Sequence, residues 1–252
     1  MKNSILMILA FGLMVSFAHA QNLSVQIKGL PPADVYLADF YGDKNAILDT
    51  AVPDTGGVFS FAMKGSYHAG MYRIFLSKEV YFDIVYNREN IRIKTDYNYL
   101  YDSLEVIEST ENKLYYGFLR AMNQYRRKFD LLGPPNDYYP KSDSFYQLIR
   151  EQYVLIQEEI QAYIDGLIAE YPDAWTTKIV KRKRPLFYDL GLGEMEKRDY
   201  TVEHYFDHFD FTDVDLIRSN VYTTSAIEYM SLYSNPDLTS GPVTGSIHQS
   251  GG

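Results

Sequence analysis

Two histidines four residues apart, His204 and His208, stand among Glu203, Asp207, Asp210, Asp213 and Asp215. One helical turn is the spacing by which two imidazoles reach a single divalent metal. The order departs from H-E-x-x-H, because Tyr205, Phe206 and Asp207 fill the interval, and the acids lack the glycine and regular alternation of a calcium loop. A helix with an aromatic inner face and a charged outer one accounts for the same letters, so no metal ligand is assigned. Asp54-Thr55-Gly56 spells the motif in which paired aspartates share a proton, but it occurs once, in a glycine-rich stretch that reads as a hairpin turn. Lys181-Arg182-Lys183-Arg184, preceded by Lys178, is the longest basic run. It reads as a solvated helix end, its cations near the C-terminus, with contact to an acidic partner as the sharper alternative. Gly191-Leu192-Gly193 lacks the rest of a dinucleotide fingerprint, and neither a G-x-S-x-G elbow nor a phosphate loop occurs. The sequence thus assigns no catalytic residue, no cofactor and no metal.

The 252 residues include no cysteine, which removes thiol chemistry and disulfides together and leaves stability to packing. A formal net charge of -9 argues against nucleic acid as a partner, since a phosphate backbone wants a surplus of Lys and Arg on one face. Aromatic side chains make up 15% of the chain, led by 24 tyrosines, which suits sheets with one solvated face. Residues 1–20 have the form of a signal peptide: Lys2, an apolar run from Ile5 to Phe17, and Ala18-His19-Ala20 as a small-x-small cleavage site. Cleavage after Ala20 predicts a periplasmic or secreted protein of a Gram-negative envelope, with no integral membrane segment in the mature chain.

The elements that must position any site change character at Ser103–Phe118, where the apolar period passes from two to about 3.6. Residues 21–108 break into about eight short alternating runs separated by turn clusters, which predicts an antiparallel β-sandwich or barrel-like domain. Residues 109–233 predict an α-helical domain, so the fold class is α+β. Ser109 is expected to cap a first helix carrying Leu114, Phe118, Met122, Tyr125 and Phe129 on one face, stopped near Leu132 by Gly133-Pro134-Pro135. Ser144 and Gln147 form a capping-box signature for a second helix with a stripe of Ile149, Tyr153, Ile156, Ile160, Tyr163 and Leu167, and the two should pack antiparallel. A third helix runs to about Lys183, and Thr201–Phe209 and Ser219–Tyr233 read as two more, the last burying Val221, Ile227, Met230 and Leu232. Residues 234–252 collapse into Ser, Gly, Pro and Thr and read as a disordered tail.

Val35-Tyr36-Leu37-Ala38-Asp39-Phe40-Tyr41-Gly42, Gly70-Met71-Tyr72-Arg73, and Ser109-Thr110-Glu111-Asn112 with Tyr115-Tyr116 resemble the β-domain of unknown function that opens certain exported thiol-disulfide oxidoreductases. Tyr205 through Asp213, with Tyr229 beyond, is similar to the helical part of that family. Such a resemblance implies a continuation into a thioredoxin-like domain carrying C-x-x-C, whereas 19 residues follow Tyr233 and none is cysteine. The expectation is therefore a non-catalytic exported protein, corresponding to the accessory docking or positioning region of such an enzyme and truncated relative to it. The alternative is a free-standing periplasmic module for a peptide or glycan, using Tyr97, Tyr99 and Tyr101 or Tyr138 and Tyr139. An envelope protein, peptide or glycan is the expected partner class. A metal enzyme built on His204 and His208 is the third reading.

Overall fold

The computed structural model describes residues 21–189 and 191–234. Residues 1–20, read above as an export signal, and residues 234–252, read as a disordered tail, lie outside the described residues, except Ser234, which closes the last helix.

Eight strands form two four-stranded sheets. One has the order β4-β1-β7-β8, built from Val58–Met63, Gln21–Lys28, Ile91–Asp96 and Glu105–Glu108. The other has the order β3-β2-β5-β6, built from Lys44–Ala51, Val35–Tyr41, Gly70–Phe75 and Tyr81–Tyr86. Alternation aims one face of each sheet inward: Leu23, Val25, Phe59, Phe61, Ile91 and Ile93 from the first meet Leu37, Ile74, Phe82 and Ile84 from the second in one apolar cluster. The sandwich is mostly antiparallel, as its turn spacing predicts, but β1 lies parallel to β7, with Leu23 opposite Ile91. A parallel pair needs a long connection, and here β4 and the entire second sheet supply it. Tyr41 and Lys44 pair across a two-residue loop in which Gly42 takes a φ of 63°, the left-handed geometry that a tight hairpin demands. The Asp54-Thr55-Gly56 turn is not a hairpin: it carries the chain from β3 in one sheet to β4 in the other.

Helix α1, Thr110–Tyr138, and helix α2, Ser144–Glu170, form an antiparallel hairpin, since Tyr125 meets Tyr163 while Phe129 meets Tyr153. Phe118, Met122, Ile156, Ile160 and Ile164 fill the seam. The expected stop at Gly133-Pro134-Pro135 does not occur. Each proline deletes only one amide donor, and the carbonyls released belong to the exposed Asp130 and Leu131, which water can serve. The cap of α2 is Asp143, whose carboxylate accepts from Phe145 N at 2.8 Å, and not Ser144. Helix α3, Trp175–Arg182, follows, then α4, Glu194–His204, a 3-10 turn at Val214–Arg218, and α5, Val221–Ser234. The fourth helix therefore starts earlier and ends earlier than Thr201–Phe209. In α5, Val221 and Leu232 are buried, but Ile227 and Met230 are exposed, because the inward stripe runs through Val221, Ser225, Glu228 and Leu232 and the other two lie off it.

The helical segment also returns to the sandwich. Tyr115, Tyr116, Trp175, Ile179, Leu216 and Val221 belong to the same apolar cluster as the strands. At the return, Gly42 N donates to Ile217 O at 2.7 Å, and a Cβ added to Gly70 would lie 2.8 Å from Arg218 Cβ and 3.0 Å from its carbonyl oxygen. Only glycine admits that approach.

Candidate functional site

The pivot motif organises the junction. Glu89, on the turn after β6, caps α1 by accepting from Ser109 Oγ at 2.5 Å, Thr110 N at 3.0 Å and Glu111 N at 2.9 Å. Glu111 in turn caps α3, accepting from Trp175 N and Thr176 N at 2.8 Å each, where α3 has no capping side chain of its own. A carboxylate at each helix start meets unpaired amides and the positive end of the dipole. Next to it, Asn112 accepts from Val85 N at 2.9 Å and donates to Val85 O at 2.7 Å, while Tyr116 Oη donates to Asp83 O at 2.6 Å and Tyr101 Oη to Tyr81 O at 2.9 Å. The outward backbone groups of edge strand β6 are thus met by side chains, which seals an edge otherwise open to pairing with another chain.

With its N-terminus fixed by Glu111, α3 delivers the basic run to a definite place. Trp175 and Ile179 are buried, and Arg182 follows at seven and three residues, on the same face. Arg182, Lys183 and Arg184 are half-buried, so the run is not a solvated helix end. They line a cavity of about 210 Å³ enclosed by α1, α3, the end of α4, α5 and the loop that carries Tyr101. Phe118, Leu119, Met122, Leu186, Phe209 and Val221 give it apolar walls, and Tyr116, Tyr188 and Tyr205 add rings with hydroxyls. Five cationic side chains, Arg120, Arg126, Arg182, Lys183 and Arg184, face two acidic ones, Asp102 and Glu228, so the lining is electropositive within an acidic chain.

Several of these charges are already engaged. Arg120 donates to Leu104 O and Arg184 to Asp165, while Glu228 accepts from Tyr205 Oη at 2.8 Å. Burial holds Lys183 below the usual lysine range, with Glu228 and Asp83 pulling the other way. Burial lowers Arg182 as well. Its guanidinium carbon lies 5.0 Å from the centre of the Phe209 ring, and its Nε and Nη1 atoms are buried without a hydrogen-bond partner. An unmet donor in such surroundings costs about 1–3 kcal/mol, more when charged. Asp210 and Asp213, on the far side of Arg182, are engaged instead with Thr212 and Lys178.

The other sequence candidates stay apart from this constellation or take structural parts. Helix α4 ends at His204, so His208 does not follow on the next helical turn; His204 Nδ1 lies 2.8 Å from Asp207 and its ring packs on Tyr200. Burial and the neighbouring Arg184 push His208 below the usual histidine range. Among the described residues no group of three His, Asp or Glu side chains is placed to hold a metal ion. Asp54 closes its own turn, accepting from Gly56 N at 2.8 Å and Val58 N at 2.9 Å. Gly193 N donates to Glu196 at the start of α4, a helix cap and not a nucleotide loop. Tyr101 turns inward, whereas Tyr99 and Tyr138 are exposed at separate places. Tyr205, Phe206, Phe209 and Phe211 form an aromatic group with Tyr229 of α5 through edge-on and tilted ring contacts, where helix gives way to turns.

No family model matches the chain, and neither a curated protein nor a solved structure shows significant similarity to it. Among the described residues no helix is long and apolar enough to cross a membrane.

Proposed function

We propose that this protein is a non-catalytic exported module that binds an anionic group in the cavity between the sandwich and the helices. The observation that carries the reading is the cavity's lining, in which five cationic side chains against two acidic ones stand among apolar and aromatic walls. Concave sites with apolar walls and a few converging polar groups are where small ligands are held. The absence of cysteine supports a holding role over a redox one. The resemblance to the front region of exported thioredoxin-like proteins suits the same role: the module docks or positions a partner in the envelope while other proteins do the chemistry.

Calorimetric titration of the mature chain with organic anions and their neutral counterparts tests this reading. Saturable binding of at least one anion at one site per chain is expected. Thiol-disulfide turnover by the purified chain, or binding that persists unchanged when the cavity is filled by Ser225→Trp in a folded variant, would overturn it.

A further inference from the structure

Among the described residues that line the cavity, Lys183 is the one lysine, set there by the end of α3, where its amide still donates to Ile179 O at 2.9 Å. The acids nearest in charge to its amine are engaged elsewhere. Asp83 of β6 gives its two carboxylate oxygens to Arg73 Nε at 2.6 Å and Nη2 at 2.9 Å, and Glu228 of α5 accepts from Tyr205 Oη at 2.8 Å. Asp102 stands exposed at the rim. Among the described residues Lys183 Nζ makes no hydrogen bond or ion pair, yet it is not one of the side-chain atoms sealed away without a partner. Its amine therefore has open surface where the cavity lies. Arg182 and Arg184 on its own segment and Arg120 and Arg126 on α1 add like charge, while Tyr101, Tyr116 and Tyr205 bring rings and neutral hydroxyls. Such surroundings disfavour an ammonium, and burial holds the amine below the usual lysine range against the pull of Glu228 and Asp83. An unprotonated amine is a nucleophile. Size sets the partner: an apolar cavity of about 150 Å³ holds one benzene ring, so about 210 Å³ admits a ring on a short chain. We propose that Lys183 captures a small apolar aldehyde in the cavity as an imine. Nζ attacks the carbonyl carbon, an amine proton passes to the oxygen to give a carbinolamine, and that oxygen leaves as water while the C=N bond forms. Glu228 and its partner Tyr205 line the same cavity and carry the proton between nitrogen and oxygen. Amine plus aldehyde gives imine plus water, with no change of oxidation state. This capture shares the cavity of the binding reading but not its anion, so either can fail alone.

Reductive trapping tests the capture: the unaltered mature chain is treated with 3-phenylpropanal and cyanoborohydride at neutral pH, and peptide mapping locates the adduct. Each unit by which an amine titrates below the ordinary lysine value of ~10.4 raises its neutral fraction about tenfold at that pH, so Lys183 should carry about ten times the adduct of any other lysine side chain, or more. Its labelling rate should also level off at a lower pH than that of an exposed lysine such as Lys141. Lys183→Arg keeps a cation and removes the nucleophile, and should lose the favoured adduct. Because the adduct map is read on the unaltered chain, it stands even where the variant misfolds. A pyrene carboxaldehyde, too large for the cavity, should lose the preference for Lys183. Adduct spread evenly over the lysines, or a Lys183 rate that climbs with pH as theirs do, overturns the capture. The same preference for Lys183 with the pyrene aldehyde means approach from solvent, and overturns the cavity as its place. Neither result touches calorimetric binding of an anion, and loss of that binding with the Lys183 adduct intact would remove the binding reading alone.

Discussion

At the scale of single residues, Glu111 shows how a charged side chain in a buried setting can be wholly architectural. Its carboxylate receives Trp175 N, Thr176 N and Asn87 Nδ2, all at 2.8 Å, and Glu111 is not among the residues that line the cavity. Glu111→Ala leaves the start of α3 uncapped inside the protein, and a loss of about 2–4 kcal/mol is expected from charged hydrogen bonds and a missing cap. Glu111→Gln keeps one neutral acceptor and should lose about half as much. Urea midpoints at constant slope measure both, and an alanine variant as stable as the parent would mean that water replaces the cap. The sequence shows Glu111 in the first turn of its own helix, which is where it lies, but its partners are 64 and 65 residues away and local spacing carries no trace of them. Arg182 is the opposite case: its position three residues after Ile179 and seven after Trp175 already puts it on the buried face, a signal hidden by treating the basic run as one solvated block.

At the scale of elements, β6 is held by side chains where a strand would otherwise pair. Asn112 acts as a single rung of a sheet, presenting an acceptor and a donor to the amide and carbonyl of Val85. Asn112→Leu keeps the branched outline and deletes both bonds, together with the one from Asn112 Nδ2 to Ser109 Oγ, leaving two buried backbone groups unmet at about 1–3 kcal/mol each. Tyr116→Phe deletes only the bond to Asp83 O and should cost about 1 kcal/mol. Hydrogen exchange separates these from general destabilisation: in Asn112→Leu the Val85 amide should accelerate more than that of Ile84, which faces β5, and equal acceleration of the two would contradict the rung. The strands were legible because alternation and turn clusters are local, and Leu23, Val25, Phe59, Phe61, Ile91 and Ile93 are buried where alternation puts them. The parallel pairing of β1 with β7 was not, since nothing local records which distant strand lies alongside. Helix ends were read less well: Pro134 and Pro135 are tolerated because solvent serves the freed carbonyls, and α4 stops at His204, after which Tyr205, Phe206 and Phe209 meet edge-on in a set of turns.

At the scale of the whole molecule, the tyrosines that fill the junction make its stability depend on alkaline pH. Burial pushes the hydroxyls of Tyr72, Tyr101, Tyr115, Tyr116 and Tyr205 well above their ordinary value, and Tyr153 to about 12. In the unfolded chain the same groups lose their protons near pH ~10, so the unfolded state binds fewer protons than the folded one above that point. Stability from these groups is complete below the ordinary tyrosine value and is lost as pH rises toward the folded values. Lys183 works in the other direction: its lowered value makes the folded chain release a proton before the unfolded one, so its penalty is relieved as pH rises toward the ordinary lysine value. One lysine is set against six tyrosines, and the tyrosines prevail. Phenolate absorbance and far-ultraviolet circular dichroism recorded together on raising pH should show two steps. The first leaves the dichroism unchanged, and the buried tyrosines ionise in the second, only as the helical and sheet signal disappears. If all 24 tyrosines ionised in one step with the dichroism unchanged, the junction would have to admit water freely. A cavity that wet could not hold Arg182 desolvated, so the same titration bears on the binding site as well as on the fold.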